Sequence, residues 1–551
     1  MMLRILFFFV LTIINNIETA TNVGGILFEN TVWTADGSEN PYNLVGDVQI
    51  PFNSTLTIRP GVVINFGSDD CEILVKGFLR VEGTVGNPVI FQGGYTDDEQ
   101  WMIKFQSTQL SLSSISYAHF IGPKKAVQLA SIPNDIQKNN GTLIIQSSIF
   151  SDNTGIGTNG VYNRSLNPFF AALKFESCIF NQTVISSISA SSEPITINNS
   201  QIYDSKLYPR AVIEGVQINN CNLTNIVISF KESTSTSVLQ LFKTNAKGIS
   251  IITELENEDD MMEAIGCSYQ FIVRQSTIQD FKLTHYTRAD LSTSPTNITF
   301  EESAITNISV TSPGDYGYTG EHVYTVIIRD SVYSIGSLNF NYFQLPMLVL
   351  IESCRVNNVS IIQGTQNVGY DVNVLKLLVI RNSTFIDGSI AYQNGSTEIS
   401  YSTITLATPP LSLGRSSIIT CSSISRSDSI PQVNTVGISA IGLTLDRSTI
   451  QNFAIGIYTY PTYNSTINII DTNFIGNSMY TIENKSIYNV NTQGVYWGTN
   501  DSSVVIQQIK DYWKDINYGF VQQSASASNM LIIGTLCSAS TEDDATTGTF
   551  M

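Results

Sequence analysis

Charge is scarce in this chain, and positive charge most of all. Only 13% of residues are charged; 28 Lys and Arg stand against 46 Asp and Glu, for a net charge of −18. That balance excludes a nucleic-acid binder, whose partner demands a cationic surface, and argues against non-specific adhesion to anionic membranes. Histidine is limited to His119, His285 and His322. The seven cysteines (Cys71, Cys178, Cys221, Cys267, Cys354, Cys421 and Cys537) include no CxxC pair, which removes support for a zinc site. Past residue 20 no uninterrupted apolar run of about eighteen residues occurs, so no membrane span is expected. A Gly-rich phosphate loop and a Gly-x-Ser-x-Gly nucleophile elbow are both missing. No Pro-rich or Gly/Ser-rich linker divides the chain into separate domains.

What is present is hydrophobicity in short alternating runs, 42% of 551 residues. Leu56 and Ile58 alternate with polar neighbours; after Pro60-Gly61 the pattern resumes at Val62, Ile64 and Phe66. Ile73 and Val75, then Leu79 and Val81 after Gly77, then Val89 and Phe91 after Asn87-Pro88, repeat it. Period-two alternation cut by turn residues predicts short strands with one apolar face. Leu79-Arg80-Val81 echoes Leu56-Thr57-Ile58 about 23 residues on. Strands this short bury no core alone, so equivalent strands are expected to stack coil upon coil, in parallel.

Further along, a second phrase recurs: apolar residues, a polar step, then Ser, Cys or Thr, any residue, and an apolar one. It closes at Ile149, Ile179, Ile202, Leu223, Ile278, Ile305, Val356, Phe385, Ile404, Ile424, Ile450 and Phe474, mostly in steps of about 19 to 30 residues. The small residue is read as an inward position at a strand end, its hydroxyl bonding along the stack. Variable coil length places loops on a constant core, and residues 153–168, 231–265, 285–296 and 311–322 are read as such excursions. The acidic stretch Glu254–Glu263 lacks the spaced ligands and Gly of an EF-hand and reads as solvated.

The ends differ from the middle. Residues 1–20 carry Arg4 and the apolar stretch Ile5–Ile14, the length of a signal-peptide core, with cleavage expected near Ala20. Secretion, to the extracellular space or cell surface, permits disulfides, but the odd cysteine count leaves a thiol over and pairing is not readable. In a eukaryotic host the chain would then be a glycoprotein, with sequons at Asn53, Asn140, Asn163, Asn181, Asn198, Asn222, Asn297, Asn307, Asn358, Asn382, Asn394, Asn464, Asn484 and Asn500. Near the other end, Asp501-Ser502-Ser503 offers an N-cap, and Ile506, Ile509, Trp513 and Ile516 sit at helical spacing. A short capping helix near 502–516 is expected across the open end of the stack. The chain thus divides into a signal peptide (1–20), an N-terminal cap with first strands (21–55), the repetitive body (56–525) and a flexible tail (526–551).

Two stretches carry a family resemblance. Asn40–Gln92 resembles the opening coils of the right-handed parallel β-helix superfamily described as pectin-lyase-like. Tyr496–Val521 resembles its terminal coil, through Trp497, Gly498, Thr499, Ile506, Ile509, Asp511, Tyr512, Asp515, Gly519 and Val521. The resemblance implies an all-β, single-stranded, right-handed parallel β-helix, a solenoid. Its members include polysaccharide lyases, hydrolases and epimerases as well as non-catalytic surface and adhesion proteins. The Gly-His-Gly and Arg-x-Lys triplets of the hydrolase branch do not occur here. The lyase branch uses Asp-bound calcium with an Arg or Lys base, which neighbouring coils could assemble without a motif.

The acidic pairs Asp69-Asp70, Asp97-Asp98, Asp259-Asp260 and Asp543-Asp544 are poor dyads. Two carboxylates must oppose each other across a bond, and strand neighbours point to opposite faces. Tyr316-Gly317-Tyr318 and the run Tyr458–Tyr463 offer rings to sugars, or are simply half-exposed tyrosines. The resulting expectation is a non-enzymatic secreted β-helix that binds a glycan or cell-surface protein, or acts as a structural spacer. The alternative is a polysaccharide lyase, hydrolase or epimerase with Asp and Arg on adjacent coils. No catalytic, cofactor or metal-binding residue is assigned.

Overall fold

The computed structural model describes residues 20–36, 39–67, 71–93, 101–106, 109–122, 125–130, 140–151, 155–159, 170–187, 195–209, 215–229, 237–252, 269–284, 296–311, 324–339, 347–363, 376–393, 395–408, 410–414, 416–460, 466–511, 519–523, 526–532 and 537. The chain forms two compact units, Met1–Tyr269 and Gln270–Met551. Each is a parallel β-solenoid.

In the first unit one ladder runs through Thr31–Trp33, Thr55–Ile58, Phe78–Glu82, Ser114–Ser116, Asn140–Gln146, Phe170–Glu176, Ile195–Asn198, Val216–Asn219 and Ser237–Phe242. Each strand pairs in parallel with the next. The register aligns Ile58, Val81, Ile115, Ile145, Phe175, Ile197, Ile218 and Leu241 in one inward column. All eight are buried. Alternation along each strand sends their neighbours outward, which is how the period-two pattern becomes a continuous core. The corresponding ladder of the second unit runs from Tyr269–Arg274 to Val521–Gln523, again parallel at every step. Its inward column is Val273, Phe300, Ile328, Ile351, Ile380, Ile399, Ile419, Leu445 and Ile469.

The recurrent small residue lies where the sequence places it in most coils, but the phrases read as closing at Ile149 and Ile179 are shifted by one residue: Phe150 and Phe180 fill the apolar slot there, and Ile149 and Ile179 are only half-buried. Ser148, Cys178, Ser200, Cys221 and Thr244 in the first unit, and Ser276, Ser303, Ser331, Cys354, Ser383, Ser402, Ser422, Ser448 and Thr472 in the second, are all buried. The residue before each has positive φ, from Ser147 at 50° to Asp471 at 43°. A single left-handed residue turns the chain sharply between two strands, and the small side chain then points inward beneath the turn. Its hydroxyl serves two coils. Ser383 Oγ donates to Arg381 O at 2.7 Å and accepts from Cys354 N at 3.1 Å; Ser402 Oγ donates to Ser400 O and accepts from Ser383 N. At Gly77, another sharp corner, a Cβ would collide with the carbonyl oxygens of Pro51 and Ser54, so only Gly fits.

Several expectations change. Two coils escape the repeated phrase: Thr244–Ala246 and Ser331–Tyr333 occupy it with Ala and Tyr at the apolar slot, in register with Leu223 and with Ile305. Two supposed excursions contain ladder strands. Gly155–Asn159 pairs with Lys125–Ala130 and Val184–Ser187, and Ser237–Phe242 and Asn245–Ile252 fill part of 231–265. A polar stretch takes strand form when the coils beside it supply the hydrogen bonds. Apart from the strand ends Thr296 and Thr311, the excursions at 285–296 and 311–322 lie outside the described residues, as does Glu254–Glu263.

Within 21–55, expected to hold a cap and first strands, parallel pairing begins at once, Thr21–Ile26 with Tyr42–Ile50. The capping helix is shorter than expected, Ser502–Gln508, with the Asp501 side chain accepting from Ser503 N. Ile509 has already left it for a strand pairing with Ile482. The buried positions are Val505 and Ile509, whereas Ile506 is 65% exposed; Trp513 and Ile516 lie outside the described residues. Among the described residues of the C-terminal tail, the Leu531 backbone exchanges hydrogen bonds with Asn473, and Cys537 forms a disulfide with Cys421.

Candidate functional site

Of the acidic pairs, all four lie outside the described residues, as do His285, His322, Tyr316, Tyr318 and Tyr463. His119 is a half-buried strand residue in register with Ile90 and Ile149. Burial lowers its affinity for a proton. Cys178, Cys221 and Cys354 occupy the inward corner position otherwise held by Ser or Thr. Burial pushes each thiol up to about 11, against backbone hydrogen bonds that pull the other way. A thiol that stays protonated is a poor nucleophile, so these residues are corner fillers. Among the described residues no three His, Cys, Asp or Glu side chains converge in a way that could hold a metal.

The sequons are spread along both units. Asn53, Asn181, Asn222, Asn307, Asn358, Asn382 and Asn500 are exposed, and Asn198 and Asn297 are half-buried. Asn53, Asn307, Asn358 and Asn382 sit at left-handed corners. The Asn140 backbone is in a strand; Asn163, Asn394 and Asn464 lie outside the described residues. Asn484 is 0% exposed. Its Nδ2 donates to Tyr488 O and Gly519 O, and its Oδ1 accepts from Thr459 Oγ1 and Ser486 N. A glycan on that nitrogen is incompatible with this packing, so Asn484 is removed from the candidates.

The richest constellation lies on the outer face of the second unit. Parallel register places Ser439, Tyr458, Glu483 and Lys510 in one outward column on four successive strands. Glu483 is 5% exposed, and its Oε1 meets Lys510 Nζ at 2.9 Å and Lys485 Nζ at 3.5 Å. Lys485 Nζ also lies 5.0 Å from the Tyr458 ring centre, and Lys510 Nζ 5.5 Å from that of Tyr480. Tyr460 meets Tyr458 edge-on at 5.7 Å. A carboxylate this buried needs compensating charge. Two ammonium groups provide it.

This arrangement has limited chemistry. One carboxylate already paired with two cations cannot perform the two-carboxylate reaction of glycosidases. Ammonium groups beside tyrosine rings can hold a polar or anionic ligand edge, and the rings can stack on it. The Tyr458 and Tyr460 half of this patch was visible in the sequence. Glu483, Lys485 and Lys510 were not, since only the register joins them.

No protein-family model matches the chain, and no curated protein matches it. A solved structure of a variant of the PL6 family alginate lyase AlyGC aligns over 93% of this chain and 96% of that one, at 9% identity and a TM-score of 0.19. A likeness so loose carries no information about chemistry.

Proposed function

We propose that the protein is a secreted, right-handed β-helix of the pectin-lyase-like superfamily that binds an extracellular glycan without cleaving it. The observation that carries this reading is the outward patch of Tyr458, Tyr460, Tyr480, Lys485 and Lys510 around Glu483. It joins tyrosine ring faces to a cluster of charged side chains, and aromatic faces beside polar groups suit the stacking of a sugar ring. The Cys421–Cys537 disulfide supports an oxidising compartment.

The test is a glycan array run beside an assay for unsaturated-uronide release. Binding of a glycan, weakened roughly tenfold or more by the pair Tyr458→Ala and Lys485→Gln, without product, supports the proposal. Product release that disappears on Asp→Ala substitution would establish a polysaccharide-cleaving enzyme instead.

A further inference from the structure

The interior of the second unit contains a polar corner. Gln363 closes the strand Arg355–Gln363, and Tyr392 closes the strand one coil on, Thr384–Tyr392. The two are in register and both point inward, 1% and 0% exposed. Thr397, 1% exposed, points inward from the next strand in the chain, Ser396–Ser400. Both polar atoms of the Gln363 amide, the Tyr392 hydroxyl and the Thr397 hydroxyl have no hydrogen-bond partner in the protein. Leu413 lies beside Tyr392, and Leu378 and Ser417 lie on either side of Thr397.

Unpaired polar atoms buried on neighbouring strands are too costly to stay dry, since each has lost its hydrogen bonds to water with no replacement. A buried water is held by two to four polar partners. The amide brings a donor and an acceptor, and each hydroxyl can be either. We propose that this corner is an internal hydration site, in which one or more ordered water molecules bridge Gln363, Tyr392 and Thr397 across two coils. Tyr333 provides the contrast. Its hydroxyl is also buried and unpaired, but its column neighbours are Ile305 and Val356, and no second orphaned side chain adjoins it in register. Burial raises the proton affinity of both phenols, so both are neutral hydroxyls at any ordinary pH.

The experiment compares thermal unfolding of Tyr333→Phe and Tyr392→Phe with a high-resolution crystal structure of the unaltered protein. Removing a dry orphan relieves a cost, so Tyr333→Phe should raise the unfolding midpoint by roughly 2–4 °C. Removing one partner of a hydrated network should lower it by a similar amount for Tyr392→Phe. The triple change Gln363→Leu, Tyr392→Phe, Thr397→Val, which leaves nothing to hydrate, should recover most of that loss. Solvent density within hydrogen-bond reach of Gln363 and Tyr392 supports the site. A midpoint that rises or stays level in Tyr392→Phe, or a corner without solvent density, overturns it. The density reading stands even if a variant fails to fold.

Discussion

The two units fill equivalent columns differently. In the first, the inward column of the other sheet stacks Phe91, Phe120, Phe150 and Phe180, with neighbouring ring centres 4.8, 4.8 and 5.2 Å apart and planes within 9°, before it continues as Ile202, Leu223 and Ala246. In the second, the matching column runs Ile278, Ile305, Tyr333, Val356, Phe385 and Ile404. Identical rings repeat one packing solution, whereas a mixed column must change shape at every coil and admits the unpaired Tyr333 hydroxyl.

The outward position before each left-handed corner differs as well. The first unit places Gln146, Glu176, Asn198 and Asn219 there, with Asn219 Nδ2 donating to Asn198 Oδ1 and Asn198 Nδ2 to Glu176 Oε2. The second alternates Arg274, Glu301, Arg329, Glu352 and Arg381. Contacts of 2.7, 3.6 and 2.8 Å link the first four. One coil geometry is thus served by an amide ladder or by an ionic one, because parallel register brings any residue beside its counterpart about 4.8 Å away.

The strongest way to break this comparison is Phe120→Ala. The ring lies between two others, so the loss should be about 3–5 kcal/mol. Because solenoid coils interact mainly with their neighbours, hydrogen exchange should rise within the first unit. Val356→Ala in the mixed column should cost less, and equal losses would deny the stack any special weight. Next in size, Cys421→Ser removes the bond to Cys537 and should cost about 2–4 kcal/mol. Limited proteolysis should then cut beyond residue 525, with exchange in the first unit unchanged.

The smallest effects should separate the two ladders by their chemistry. Arg329→Met should cost no more than about 1 kcal/mol at low salt and less at high salt, read as an unfolding midpoint at both ionic strengths. In the first unit, burial would raise the Glu176 carboxyl, but hydrogen bonds from Asn199 and Asn198 and the charge of Lys174 outweigh it and hold it below its ordinary value of 4.5. Its contribution is therefore complete above that value and is lost as pH falls through the lowered one. Glu176→Gln should flatten the acid-side slope of local exchange in the first unit and leave its behaviour near neutrality little changed.

Much of the coil was legible because its signals are local. Alternation at Leu56 and Ile58, the turn at Gly77 and the Ser or Cys beneath each corner depend on residues a few positions apart. Thr244–Ala246 and Ser331–Tyr333 escaped because Ala and Tyr are unusual at an apolar slot. The helix face was misjudged because a strand pairing captures Ile509 after only two turns. Of the candidate patch, Tyr458 and Tyr460 were visible as a tyrosine-rich run, while Lys485 and Lys510 look like ordinary surface lysines in sequence.

By itself the sequence determined that short apolar strands must share a core, that they stack in parallel and, in most coils, which small residues turn inward. Those follow from side-chain period and volume. Only the tertiary structure decided which distant residues became neighbours: Glu483 between two lysines, Cys421 bonded to Cys537, Gln363 beside Tyr392 in the interior. The physical reason is that register sums the lengths of all intervening turns, and no local pattern records that sum.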